Sequence, residues 1–112
     1  MNSDSSVEIV TQGKTVTAYL KGEIDHHNAG ALRQRIDEAV THRQPEILSL
    51  DFAGVSFMDS SGIGLVMGRY RLIENTGCQF YITNLSPHAY KVMQLAGLEK
   101  IAMLKKRKDE RK

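Results

Sequence analysis

A chain of 112 residues, 41% hydrophobic and 25% charged, supplies one packed core and has no room for a second. The net charge of +2 is uneven: Lys105, Lys106, Arg107, Lys108, Arg111 and Lys112 supply six of the fifteen bases, leaving residues 1–104 with nine bases against eleven acids. That slightly acidic body argues against a nucleic-acid groove on the domain, the single Cys78 excludes an internal disulfide, and no apolar run approaches the roughly 20 residues of a membrane helix.

The opening Met1–Ser6 is polar, with no basic start and no apolar stretch of a secretion signal, so a cytoplasmic protein is expected. Residues 7–11 and 14–22 read as two strands; in the second, Val16, Ala18 and Leu20 alternate with polar neighbours. Gln12-Gly13 reads as the hairpin turn between them. A helix over about 27–42 follows, with Leu32, Ile36, Ala39 and Val40 on one face, Asp25 or Asn28 to cap it and Pro45 to stop it. Glu46–Phe52 reads as a strand covered on both faces, and Ala53–Ser60 as a loop.

A second helix is expected over about 61–76, with Ile63, Val66, Met67, Tyr70 and Ile73 facing the core and Gly77 as its cap. Cys78–Thr83 reads as a strand, with Cys78 as a small core residue. Ser86-Pro87 reads as an N-cap with proline at the first helical position. The third helix turns Ala89, Val92, Met93 and Ala96 inward and ends at Gly97-Leu98; Ile101–Leu104 forms a last short strand. The order β-β-α-β-α-β-α-β predicts one α/β domain over 1–104, a mixed and mostly parallel sheet packed with helices, and a charged, flexible tail over 105–112. The methionines are expected as core fillers.

Phe57-Met-Asp-Ser-Ser-Gly-Ile-Gly64 lies between a strand end and a helix start, the place where sites form in open α/β sheets. A helix start offers unpaired N–H groups and a partial positive charge, so a phosphate on Ser60 would sit beside favourable donors. Gly62 and Gly64 would let a partner approach the backbone. Taken alone, these residues fit at least as well a Ser60 N-cap with glycines that permit tight packing. His26 and His27 complete no metal-ligand set, His42 and His88 are isolated, and Gly62-Ile-Gly64 is too short for a dinucleotide fingerprint, so no metal or cofactor is expected.

The segment Gly22-Glu-Ile-Asp-His-His-Asn28, with Ser56-Phe-Met-Asp-Ser-Ser-Gly-Ile-Gly-Leu-Val-Met-Gly-Arg-Tyr70, resembles the anti-sigma factor antagonist family (STAS domains) over roughly residues 7–104. The Asp-His-His block resembles its sporulation branch in endospore-forming bacilli. The resemblance implies that Ser60, directly after Asp59, is the phosphoacceptor, with Ser61 as runner-up. It implies that the unphosphorylated protein binds an anti-sigma factor that is also a serine kinase, freeing a sigma factor. Phosphorylation of Ser60 then ends the contact, and a serine phosphatase restores it. Glu23, Asp25, Asp59, Ser61, Gly62 and Gly64 are the implied partner-binding residues, with no direct nucleic-acid or membrane contact. Family members commonly carry a further helix after the last strand, where this chain has the charged run Lys105–Lys112.

Three other readings compete, an unregulated protein-interaction domain among them. A receiver-like domain would carry its phosphate on Asp51, although no acidic pair follows the first strand. An enzyme would need a base beside Ser60, and no Gly-x-Ser-x-Gly elbow is present.

Overall fold

The computed structural model describes residues 5–108. Its elements are β1 (Ser6–Gln12), β2 (Thr15–Ile24), α1 (Ala29–Arg43), β3 (Ile47–Met58), α2 (Ser60–Ile73), β4 (Gln79–Leu85), α3 (Pro87–Leu95), a 3-10 turn (Leu98–Lys100) and β5 (Met103–Lys106). The expected element order is present. The five strands lie in sheet order β1-β2-β3-β4-β5, with β1 antiparallel to β2 and every other pair parallel.

Each parallel crossover steps the same way across the sheet, so right-handed connections put all three helices on one face. Burial follows that geometry. Val16, Leu48 and Phe80 lie side by side across β2, β3 and β4, as do Ala18, Leu50 and Ile82, and all six are buried. On the opposite row Tyr19 is exposed, while Asp51 beside it is buried by neighbouring polar groups. Burying Leu20, Ile36, Phe52 and Met93 contributes about 1.5–3 kcal/mol each before chain entropy is counted.

β3 departs most from expectation. It continues to Met58 through the stretch read as a loop, because Lys21–Ile24 of β2 keeps pairing with Gly54–Met58 across two register shifts. The shifts break the period of two that marks a strand in sequence. Gly54 permits the approach: a Cβ there would stand 2.9 Å from the Leu20 carbonyl oxygen.

α2 starts at Ser60 and stops at Ile73, three residues before the expected end; Gly77, at φ +82°, shapes the turn beyond it. Its buried stripe is Gly62, Leu65, Val66, Arg69 and Ile73, whereas Ile63 and Tyr70 are half-buried and Met67 is exposed. In α3 the inward residues are Ala89 and Met93, with Val92 half-buried and Ala96 exposed. Of the methionines described, only Met93 is buried, and Cys78 is half-buried. β5 lies two residues later than expected, so Lys105 and Lys106 belong to the sheet. Their ammonium groups lie over the Tyr81 and Tyr90 rings, and the Arg107 N–H donates to the Leu85 carbonyl. Asp109–Lys112 lie outside the described residues.

Candidate functional site

Parallel pairing brings together the two blocks singled out in sequence. Glu23 pairs with Phe57 and Ile24 with Met58, and the Asp59 N–H donates to the Ile24 carbonyl at 3.1 Å. The β2–α1 turn therefore lies beside the start of α2. The Asp25 carboxylate accepts from the His27 and Asn28 N–H groups, the Asn28 side chain accepts from the Asp25 N–H, and its amide donates to the Glu23 carbonyl. Asn28 occupies the N-cap position of α1 but makes no side-chain cap bond; its side chain serves this turn instead.

At the start of α2 the N-cap is Asp59, not Ser60. Its carboxylate accepts from the Ser61 N–H at 2.7 Å, and its carbonyl accepts from the Gly62 N–H at 2.9 Å. The Ser61 N–H holds the Asp59 carboxyl below the ordinary carboxylate range; the Ser61 hydroxyl and nearby His26 act in the same direction against some desolvation. Two of the first-turn donors expected to receive a phosphate are thus already engaged. Ser60 is the first residue of the helix, is exposed, and makes no side-chain hydrogen bond among the described residues.

The other site residues divide. Glu23 and Gly64 are exposed, Asp25, Asp59 and Ser61 are half-buried, and Gly62 is buried. A Cβ on Gly62 would meet the Met58 sulfur at 2.6 Å, so that glycine makes room for Met58 rather than for a partner. A Cβ on Gly64 would meet nothing within 4 Å. Between α1 and α2 runs a cleft of about 330 Å³ lined by His26, Gly30, Arg33, Ser61 and Gly64, with Arg69 also at its wall. His26 and His27 stack with ring centroids 4.1 Å apart.

Arg69 is the residue that periodicity missed. It is 5% exposed, with Nε 2.7 Å from Asp37 Oδ1 in an off-axis ion pair, Nη2 donating to Asp37 Oδ2 and Nη1 to the Leu65 carbonyl. Burial lowers its pKa, and the Asp37 charge opposes that shift. An arginine inside an otherwise apolar stripe was the available signal. Asp51 is buried, with Oδ1 accepting from the Ala53 N–H and Oδ2 from the Thr83 hydroxyl and the Asn84 amide.

A single-layered α/β sheet with an Asp-capped helix after β3 invites comparison with known proteins, and the STAS domain family matches residues 6–110. The chain belongs to the STAS domain family. Within it, an anti-sigma F factor antagonist of Lysinibacillus sphaericus is 40% identical over 92 residues, 82% of this chain and 78% of that protein. The anti-sigma factor antagonist SpoIIAA in its unphosphorylated form superposes with a TM-score of 0.70 at 34% identity, covering 95% of this chain and 90% of that one. The Bacillus cell fate determinant SpoIIAA in its phosphorylated form gives 0.68 at 38% identity, covering 89% of each chain. By these relatives the chain falls within the anti-sigma factor antagonist family of STAS domains. No helix among its described residues is long and apolar enough to cross a membrane.

Proposed function

We propose that this STAS domain is a cytoplasmic switch of sporulation whose state is the phosphorylation of Ser60. Unphosphorylated, it binds an anti-sigma factor serine kinase and so releases a sigma factor. The kinase transfers the γ-phosphoryl group of ATP to the Ser60 hydroxyl, and a serine phosphatase hydrolyses the ester. The observation that carries this reading is the division of labour at the helix start. Asp59 caps α2, which leaves the exposed Ser60 hydroxyl without a structural task. Ser61 is half-buried and bound to Asp59, which favours Ser60 over its neighbour. A relative in the same family exists in phosphorylated and unphosphorylated forms.

A phosphate adds about 1.5–2 negative charges at neutral pH. Beside the ionised Asp59, with two helix-start donors already taken, that charge gains little inside the molecule and has to be desolvated in a docked complex. A loss of about 3 kcal/mol weakens binding more than a hundredfold, without a change of fold. The receiver-like alternative is disfavoured by Asp51, whose two oxygens are both occupied. The test is phosphoryl transfer from labelled ATP by a purified anti-sigma F factor. Acid-stable label mapped to Ser60 and absent from Ser60→Ala is expected. Acid-labile label lost in Asp51→Asn would replace this reading with the receiver one.

A further inference from the structure

Among the most exposed apolar side chains are Leu95, Phe57, Met103 and Met67, at 76%, 56%, 55% and 44%. Leu95 ends α3 and Met103 begins β5, the edge strand farthest from β1. Phe57 and Met67 instead bracket Ser60. Phe57 precedes it by three residues, so their Cα atoms are at most about 11 Å apart. Met67 follows it by two helical turns on the same exposed face of α2, a rise of about 10 Å. Between Ser60 and Met67 lies Gly64, exposed and with open space where a side chain would stand. Glu23, Asp25 and Asp59 add an acidic rim beside the helix start.

We propose that Phe57 and Met67 are the apolar anchors by which the unphosphorylated protein holds its anti-sigma factor, a partner offering two apolar pockets with basic groups towards the acidic rim. This rests on the Ser60 switch reading, which also identifies the occupant. A kinase that reaches the Ser60 hydroxyl covers the surface around it, and an interface of ordinary size, about 800 Å² per partner, is wide enough to include both side chains. Buried apolar anchors surrounded by polar contacts carry most of the affinity of such interfaces. Their placement explains why one phosphate suffices: it falls between the anchors, where water is excluded.

The experiment is calorimetric titration of purified anti-sigma F factor, loaded with ADP, with the full chain and its variants. Phe57→Ala and Met67→Gln, the latter keeping helix propensity while removing apolar contact, each weaken binding at least tenfold. Leu95→Ala and Met103→Ala, exposed to a similar or greater degree but away from Ser60, stay within twofold. All four variants keep the wild-type circular dichroism spectrum. Wild-type affinity in both Phe57→Ala and Met67→Gln, with Ser60→Asp still defective, overturns the anchors and leaves the switch standing. Equal losses in Leu95→Ala and Met103→Ala overturn the anchors as well. No binding by the wild type overturns both the anchors and the switch.

Discussion

Two helices of this molecule have a serine at or next to the N-cap, and they use it differently. At α3, Ser86 is the N-cap: its hydroxyl accepts from the Ala89 N–H at 3.1 Å and Pro87 follows at the first helical position. At α2, Asp59 takes that task and Ser60 is displaced one residue into the helix, exposed and without a side-chain hydrogen bond among the described residues. A capping serine is committed to the fold, and modifying it would cost the helix its start. A serine relieved of capping can change state while the fold holds. The contrast thus separates, by hydrogen-bond accounting, a structural serine from one that the proposed switch can use.

The largest effect that would break the contrast is on binding. Ser60→Asp is expected to weaken affinity for the anti-sigma factor at least a hundredfold, whereas Ser60→Ala remains in the partner-binding form. Ser86→Thr, which keeps a capping hydroxyl and adds no charge, stays within about threefold. Equal affinities for Ser60→Asp and Ser60→Ala, measured by calorimetry, would remove the charge-switch mechanism.

The next effects are on stability. α2 is tied sideways to α1 by the pair between the buried Arg69 and the half-buried Asp37, whereas α3 turns Ala89 and Met93 to the core. Asp37→Ala strands the Arg69 charge and is expected to cost about 2–3 kcal/mol, less than a fully buried pair because Asp37 is one-third exposed. Chemical denaturation should show the midpoint falling at constant slope. Ser86→Ala should cost about 1 kcal/mol, a typical cap loss. Ser60→Ala should cost less than about 0.5 kcal/mol, as for a surface substitution. Equal costs for the two alanines would mean that Ser60 has a structural bond after all.

The pattern of these effects follows what sequence could and could not convey. Strict alternation in Val16–Leu20 and helical spacing in Leu32–Val40 are local consequences of one buried face, so β2 and α1 were legible within two residues or so. The end of β3 was not, because Gly54–Met58 is held by β2 across register shifts that carry no local period. The face of α2 was misread because Met67 counts as apolar though exposed, and Arg69 as polar though its charge is met by Asp37, thirty-two residues away. At the site, Ser60 was legible as a candidate from the motif and from the resemblance it carries. That Asp59 rather than Ser60 is the cap was not, since Asp and Ser are comparable N-caps and the choice depends on backbone angles. Gly62 and Gly64 look alike in the chain; only Met58 packing against the first tells them apart.

The smallest effect would sharpen the contrast at its origin, in the titration of the cap. The Asp59 carboxyl is held below its unfolded value chiefly by the Ser61 N–H, so it stabilises the fold above the ordinary carboxylate pKa of about 3.9. That contribution is lost as pH falls through the lower folded value, where the carboxyl protonates and the charge-assisted cap weakens. Ser86 has no proton to gain in that range, so the start of α3 is indifferent to it. Asp59→Asn preserves capping and removes the titration. Denaturation curves between pH 6 and about pH 2.5 should therefore converge for wild type and Asp59→Asn on the acid side, with wild type the more stable above about pH 4. Parallel curves across that window would mean that the carboxylate charge contributes nothing to the cap, and that Ser60 is spared capping by geometry alone.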